Sequence, residues 1–141
     1  MLMKTKSALP PTAPSQASWT IEVRESDRLV LVTTQGKFTF TSLTTMMEEV
    51  HERGLELEIT RFVFDDRLIQ LRLTTSEIYS LPDALERLGW HRGMRVAAVI
   101  PSNSGGADDY KFFHSLATGR AFAYGLFAEL DPAIAWAVAA E

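Results

Sequence analysis

The 141-residue sequence predicts one α/β domain: a mixed sheet of about five strands, opening on an antiparallel hairpin and otherwise mainly parallel, flanked by about four helices. Three observations carry this reading. Residues 94–106, Met-Arg-Val-Ala-Ala-Val-Ile-Pro-Ser-Asn-Ser-Gly-Gly, hold an unbroken β-branched and alanine run, the signature of an interior strand covered on both faces. Two β-rich runs near the start of the chain follow each other too closely for a parallel crossover, so they must pair as a hairpin. From there on, segments of helical spacing alternate with strands, the pattern of βαβ units. At 46% hydrophobic and 23% charged, the chain can bury one ordinary core and not two.

Residues 1–18 stand apart. Lys4 and Lys6 precede Pro10, Pro11 and Pro14, which break any continuous apolar core of a signal peptide and favour an extended, flexible arm. A docking tail or a strand exchanged with a partner subunit is the functional reading; a poorly ordered terminus is the simpler one. The domain proper is then 19–141. In it, Trp19, Ile21 and Val23 alternate with Thr20, Glu22 and Arg24. Ser26-Asp27 turns the chain into a second strand, Arg28 to Thr34, which Gly36 is expected to end.

Thr41 can cap a helix whose Leu43, Met46, Met47 and Val50 share one face, with Gly54 as its stop. The next strand, Leu57 to Phe64, runs into Asp65-Asp66-Arg67 at its expected carboxyl end. Leu68 to Leu73 reads as an extended connection. Thr74-Thr75-Ser76-Glu77 then has the capping-box pattern, and Ile78, Leu81, Leu85 and Leu88 form a stripe that Pro82 should kink or split, with Gly89 as the stop. After the interior strand and the loop Ser102-Asn103-Ser104-Gly105-Gly106, Tyr110, Phe113, Leu116 and Ala117 mark a helix over 107–118. Phe122 to Phe127 supplies the last strand. Asp131-Pro132 opens a final alanine-rich helix with Ile134, Trp136 and Val138, expected to pack within the chain rather than on a second subunit.

Charge and residue types exclude several function classes. Fourteen basic against 18 acidic residues give a net charge of −4 with no basic run, which argues against nucleic acid as partner. The chain has no cysteine, so disulfides, thiol catalysis and thiolate zinc sites are excluded; a reducing, cytoplasmic setting is expected. No apolar stretch approaches the roughly 20 residues of a membrane span. Asp65-Asp66 invites Mg²⁺ binding or phosphoryl transfer, but the lysine that a receiver-type site needs at a later strand end is absent, the last strand ending Leu126-Phe127-Ala128-Glu129. The loop before the third helix lacks a Walker lysine, and Asp108 and Asp109 would repel phosphate. Ser102 to Gly106 is not a Gly-x-Ser-x-Gly elbow, and His51, His91 and His114 fall on expected polar faces or loops. No cofactor or metal is implied, and the chain does not read as an enzyme.

The strand Arg95 to Pro101, the segment Asp108-Asp109-Tyr110-Lys111-Phe112-Phe113, the Gly119-Arg120 turn, and Leu126-Phe127 followed by Asp131-Pro132-Ala133-Ile134-Ala135-Trp136 together resemble the STAS-like domains. In particular they resemble the family named for its similarity to the sporulation anti-anti-sigma factor. That resemblance implies no catalytic apparatus and a role in partner binding or small-ligand sensing. Anti-anti-sigma factors present a phosphorylatable serine in an Asp-Ser-Ser-Gly type turn entering the second helix. Here the region reads Asp65-Asp66-Arg67 and then Thr74-Thr75-Ser76, and no residue matches that serine. The leading expectation is a non-catalytic regulatory or interaction module, possible as a homodimer, with a surface built from Asp65, Asp66, Arg67, Thr74, Thr75, Ser76, Ser102, Asn103 and Ser104. The alternative is a carrier or sensor of a small apolar molecule, suggested by Met46, Met47, Phe62, Phe64, Phe112 and Phe113 near one sheet.

Overall fold

The computed structural model describes residues 16–101 and 106–139. These form five strands, β1 (Ser18–Arg24), β2 (Leu29–Phe38), β3 (Arg61–Leu71), β4 (Arg95–Val99) and β5 (Ala123–Phe127), and four helices, α1 (Phe40–Leu57), α2 (Thr75–Leu88), α3 (Gly106–Gly119) and α4 (Leu130–Val138). The strands lie in the order β1-β2-β3-β4-β5, antiparallel for the first pair and parallel for the rest. A single 3₁₀ turn, Glu25–Asp27, closes the hairpin, with Arg28 left-handed behind it.

Because β2 to β5 sit side by side in chain order, each crossover advances the same way. Right-handed crossovers of one sense put their helices on one face. α1, α2 and α3 therefore share a face and bury a large core with Val30, Val32, Phe62, Phe64 and Ala98. α4 follows the last strand with no further strand to reach, and packs on the opposite face against Leu31, Val63, Ala97 and Val99. β4 is interior and buried through Ala97, Ala98 and Val99 as its composition implies, one place from the middle, which β3 occupies.

Several boundaries differ from the sequence reading. β2 continues through Gly36 to Phe38; Gly36 has φ +94° and a Cβ there would run into the Gln16 carbonyl, so glycine admits the neighbouring segment rather than ending the strand. Thr39, not Thr41, caps α1, in a reciprocal pair with Ser42 (Ser42 N–H to Thr39 Oγ1 3.2 Å, Thr39 N–H to Ser42 Oγ 2.8 Å). α1 passes Gly54, which lies under the Phe62 ring, and stops at Leu57 with Glu58 left-handed. α2 runs unbroken through Pro82, which is buried along with Ile78, Leu81 and Leu85, so tertiary packing holds the turn where one backbone donor is missing. α4 starts at Leu130 behind Glu129, which makes no side-chain cap, so the cap position lies two residues ahead of the expected Asp131. Its buried positions are Ala133 and Ala137, with Ile134, Trp136 and Val138 half-buried around them, so it packs within the chain.

The largest departure is in β3. Asp65-Asp66-Arg67 does not end the strand but lies inside it, and Leu68–Leu71 continues the pairing with β2 instead of forming a connection. The register moves from Thr33↔Asp65 to Gln35↔Leu68, so Asp66 and Arg67 together oppose Thr34: a β-bulge. The extra residue resets the alternation. Phe62, Phe64 and Asp66 point to the three-helix face before it, and Ile69 and Leu71 return to that face after it, leaving Leu68 exposed. β4 pairs with β3 only up to Asp65↔Val99, so the bulge falls where that neighbour ends.

Candidate functional site

Strand alternation puts the two aspartates of the pair on opposite faces of the sheet. Asp65 turns toward Arg67, accepting from Nε at 2.9 Å and Nη2 at 2.7 Å, and that guanidinium holds its carboxyl below the usual range. Asp66 turns inward and is 6% exposed. Its Oδ1 accepts from Thr34 Oγ1 at 2.7 Å and its Oδ2 from Tyr110 Oη at 2.7 Å, tying β2, β3 and α3 together. Burial pushes the Asp66 carboxyl up to about 6, further than the two hydroxyl donors and the nearby Asp65 charge adjust it. Thr34 Oγ1 also lies 3.3 Å from the Asp65 carbonyl. When Asp66 takes a proton, Thr34 can donate to that carbonyl while accepting from the acid, so both charge states are satisfied with the heavy atoms in place.

Above Asp66 the three helices do not close on the sheet. A cavity of about 70 Å³ remains, with Met46 and Met47 from α1, Ile78 and Leu81 from α2, and Phe113 from α3 facing Phe64 and Ala98. Its polar lining consists of Asp66, Asp109, Tyr110 and Tyr124, with no Lys, Arg or His among the lining residues. A second cavity of about 60 Å³ lies beside it toward Trp90 and Met94, and shares Met47, Leu85, Val96, Phe113 and Tyr124. Only those side chains, among them a flexible methionine and the edge-on Phe113–Tyr124 pair (5.2 Å), separate the two chambers.

The remaining expected site residues do not meet there. Thr74 caps α2 as its pattern predicts: Glu77 N–H reaches Thr74 Oγ1 at 3.1 Å and Thr74 N–H reaches Glu77 Oε1 at 2.9 Å. Thr75 and Ser76 are exposed beside it. Ser102, Asn103 and Ser104 lie outside the described residues, as does the arm up to residue 15; Gln16 bridges to Lys37 and Ser18 already belongs to β1. Of the surface expected around Asp65 to Arg67, Asp66 is inside and so cannot meet a docked protein. His51 also departs from its expected polar face: it is buried, 5.6 Å from the Trp90 ring and against Gly89, whose missing Cβ and φ of +110° make room for it. His91 is exposed and accepts from Gly93 N–H at 3.0 Å, and His114 lies half-buried against Tyr124. Among the described residues no three His, Cys, Asp or Glu side chains group to hold a metal.

Thr34, Tyr110 and Tyr124 were not singled out as site residues from the sequence. One signal was available: Phe62, Phe64 and Asp66 sit at i, i+2 and i+4, which puts the acid on the buried face of any continuing strand.

No family model matches the sequence, and no curated protein matches it. Among solved structures, an anti-sigma factor antagonist from Mycobacterium paratuberculosis superposes with a TM-score of 0.56, covering 89% of this chain and 97% of that one at 18% identity. The fold is STAS-like: the mixed five-stranded sheet with its N-terminal hairpin and four helices extends over nearly the whole described chain. No helix among the described residues is long and apolar enough to cross a membrane.

Proposed function

We propose that the chain is a non-catalytic regulatory module that works by binding another protein. The observation that supports this best is the near full-length likeness to an anti-sigma factor antagonist. The arrangement of side chains agrees with it, since His51 is packed on Trp90 and His91 is engaged by its own loop, so neither is set beside a serine as a general base. The contact face is the rim at the carboxyl ends of the parallel strands, where the starts of α1 and α2 bring their capping hydroxyls with Thr75 and Ser76 exposed, and it extends to Arg67, exposed on β3 just past the last residue paired with β4. Affinity capture with the tagged chain from its own cells, repeated with a Ser76→Arg, Arg67→Glu double variant, tests this. A partner retained by the native chain and reduced at least tenfold by the variant is the expected result. Recovery of no protein, or equal recovery by both, overturns it.

A second reading, carriage or sensing of a small apolar molecule, is favoured by one observation, the pair of adjoining apolar cavities beneath the three helices.

A further inference from the structure

The chambers are not chemically neutral. The first is lined by two carboxylates, Asp66 and Asp109, and by no Lys, Arg or His, while the lining of the second includes His91 and no carboxylate. Asp66 uses one acceptor direction on each oxygen, for Thr34 and for Tyr110, and a carboxylate oxygen can accept a second bond. Tyr124 reaches the same cleft from β5. Its hydroxyl has no hydrogen-bond partner among the described residues, and burial together with the Asp66 charge raises its pKa far above the ordinary phenol range. An acceptor with spare capacity and an unsatisfied hydroxyl, both inside apolar walls, are what an incoming donor group would complete.

We propose that the cleft binds a small apolar ammonium compound, its charged head hydrogen-bonded to Asp66 and Tyr124 and its apolar body lying along Met47 and Phe113 toward the second chamber. This rests on the ligand-binding reading above and adds the class of ligand. An anionic head beside Asp66 is disfavoured, because it would sit against two carboxylates in a chamber lined by no cationic side chain. Size limits the body to about one ring or a short chain: the two chambers together approach the ~150 Å³ that holds benzene in an engineered apolar cavity. With the Asp66 pKa near 6, the acid is ionised at pH 7.5 and largely neutral at pH 5. The titratable groups facing it are Tyr110 and Asp109 on α3, Tyr124 on β5 and Asp65 on its own strand; α1 and α2 present only apolar side chains to the cleft.

Benzylamine, benzyl alcohol and benzoate share one body and differ in head charge, so they separate the possibilities when titrated into the ¹⁵N-labelled full chain. At pH 7.5 benzylammonium is expected to move the amide signals of Asp66, Tyr110 and Tyr124 and to bind at least tenfold more tightly than benzyl alcohol, with benzoate weakest. At pH 5 that advantage should shrink severalfold. Asp66→Asn should bring benzylamine to the level of the alcohol while leaving the alcohol within about twofold, and Tyr124→Phe, which keeps the acid, should weaken benzylamine about threefold or more. Benzoate binding as well as benzylamine, or a preference that survives Asp66→Asn, overturns the ammonium proposal. If only the alcohol binds, the cleft takes ligands but not cations, and the head-group inference alone fails. If none of the three binds, the ligand reading falls with it.

Discussion

On the α4 face of the sheet, Ala97 and Val99 meet Ala133 and Ala137, small side chains that let a nine-residue helix settle close on the strands. Its last carbonyls are held from below: Arg95 Nε donates to the Trp136 carbonyl at 2.7 Å with the guanidinium stacked 3.9 Å over the Trp136 ring, and Arg61 donates to the Val138 carbonyl at 3.2 Å. Cations at a helix carboxyl end also complement its dipole. On the other face three longer helices with methionine, leucine and aromatic side chains cover the same sheet and leave a cleft with a carboxylate at its floor. The solid face fixes the sheet and the loose one stores space and a charge. Close packing of small residues leaves nothing to rearrange, whereas large flexible side chains around a bulged strand do.

The sharpest way to break this contrast is through Asp66. Because the folded protein holds this proton more tightly than the unfolded chain does, the stability it contributes is fully present below about pH 4 and is lost as pH rises through about 6. Asp66→Asn keeps a donor and an acceptor for the two hydroxyls but has no proton to lose. The difference in unfolding free energy between the native protein and the variant should therefore shift by about 3 kcal/mol between pH 4 and pH 8, in favour of the variant at high pH, as read from urea unfolding curves. A constant difference would mean that Asp66 titrates as an ordinary surface acid. Its neighbour Asp65 acts in the opposite sense, its lowered pKa giving stability present above about pH 4 and lost in acid.

Next comes the same enlargement made on both faces. Ala97→Val adds methyl groups where Ala133 and Ala137 leave no room, and should cost about 1–3 kcal/mol. Ala98→Val points into the cleft and should cost less than about 1 kcal/mol while narrowing the chamber. Equal costs would show that the faces are packed alike. Arg95→Met removes the clamp on α4, and the loss of its hydrogen bond and ring contact should lower stability by about 1–2 kcal/mol with an unchanged denaturant slope. The last lies away from both faces: Thr74→Ala should cost about 1 kcal/mol by uncapping α2.

The hairpin, the interior character of Val96 to Val99, the Thr74 cap and the helix stripes were all legible, because each depends on residues close in sequence and on a fixed period. The site was legible only in fragments. Asp66 was recognised as a candidate but placed at a strand end on the surface, since a charged triplet after Phe-Val-Phe reads as an exit from the sheet. Thr34 and Tyr110, 32 and 44 residues away in the chain, give no local sign that they will meet it. His51 looked solvated because its inward turn depends on Gly89 leaving space on another helix's end.

Local periodicity and capping by themselves determined which segments are strands or helices and which faces are apolar, for these follow from backbone geometry repeated every two or 3.6 residues. The tertiary structure decided where the helices leave the sheet uncovered, and that β3 runs on through a bulge past its charged triplet, so that one aspartate of the pair is buried. Such features arise when β2 sets a register against β3 and three helices compete for one face, and no single segment contains that information.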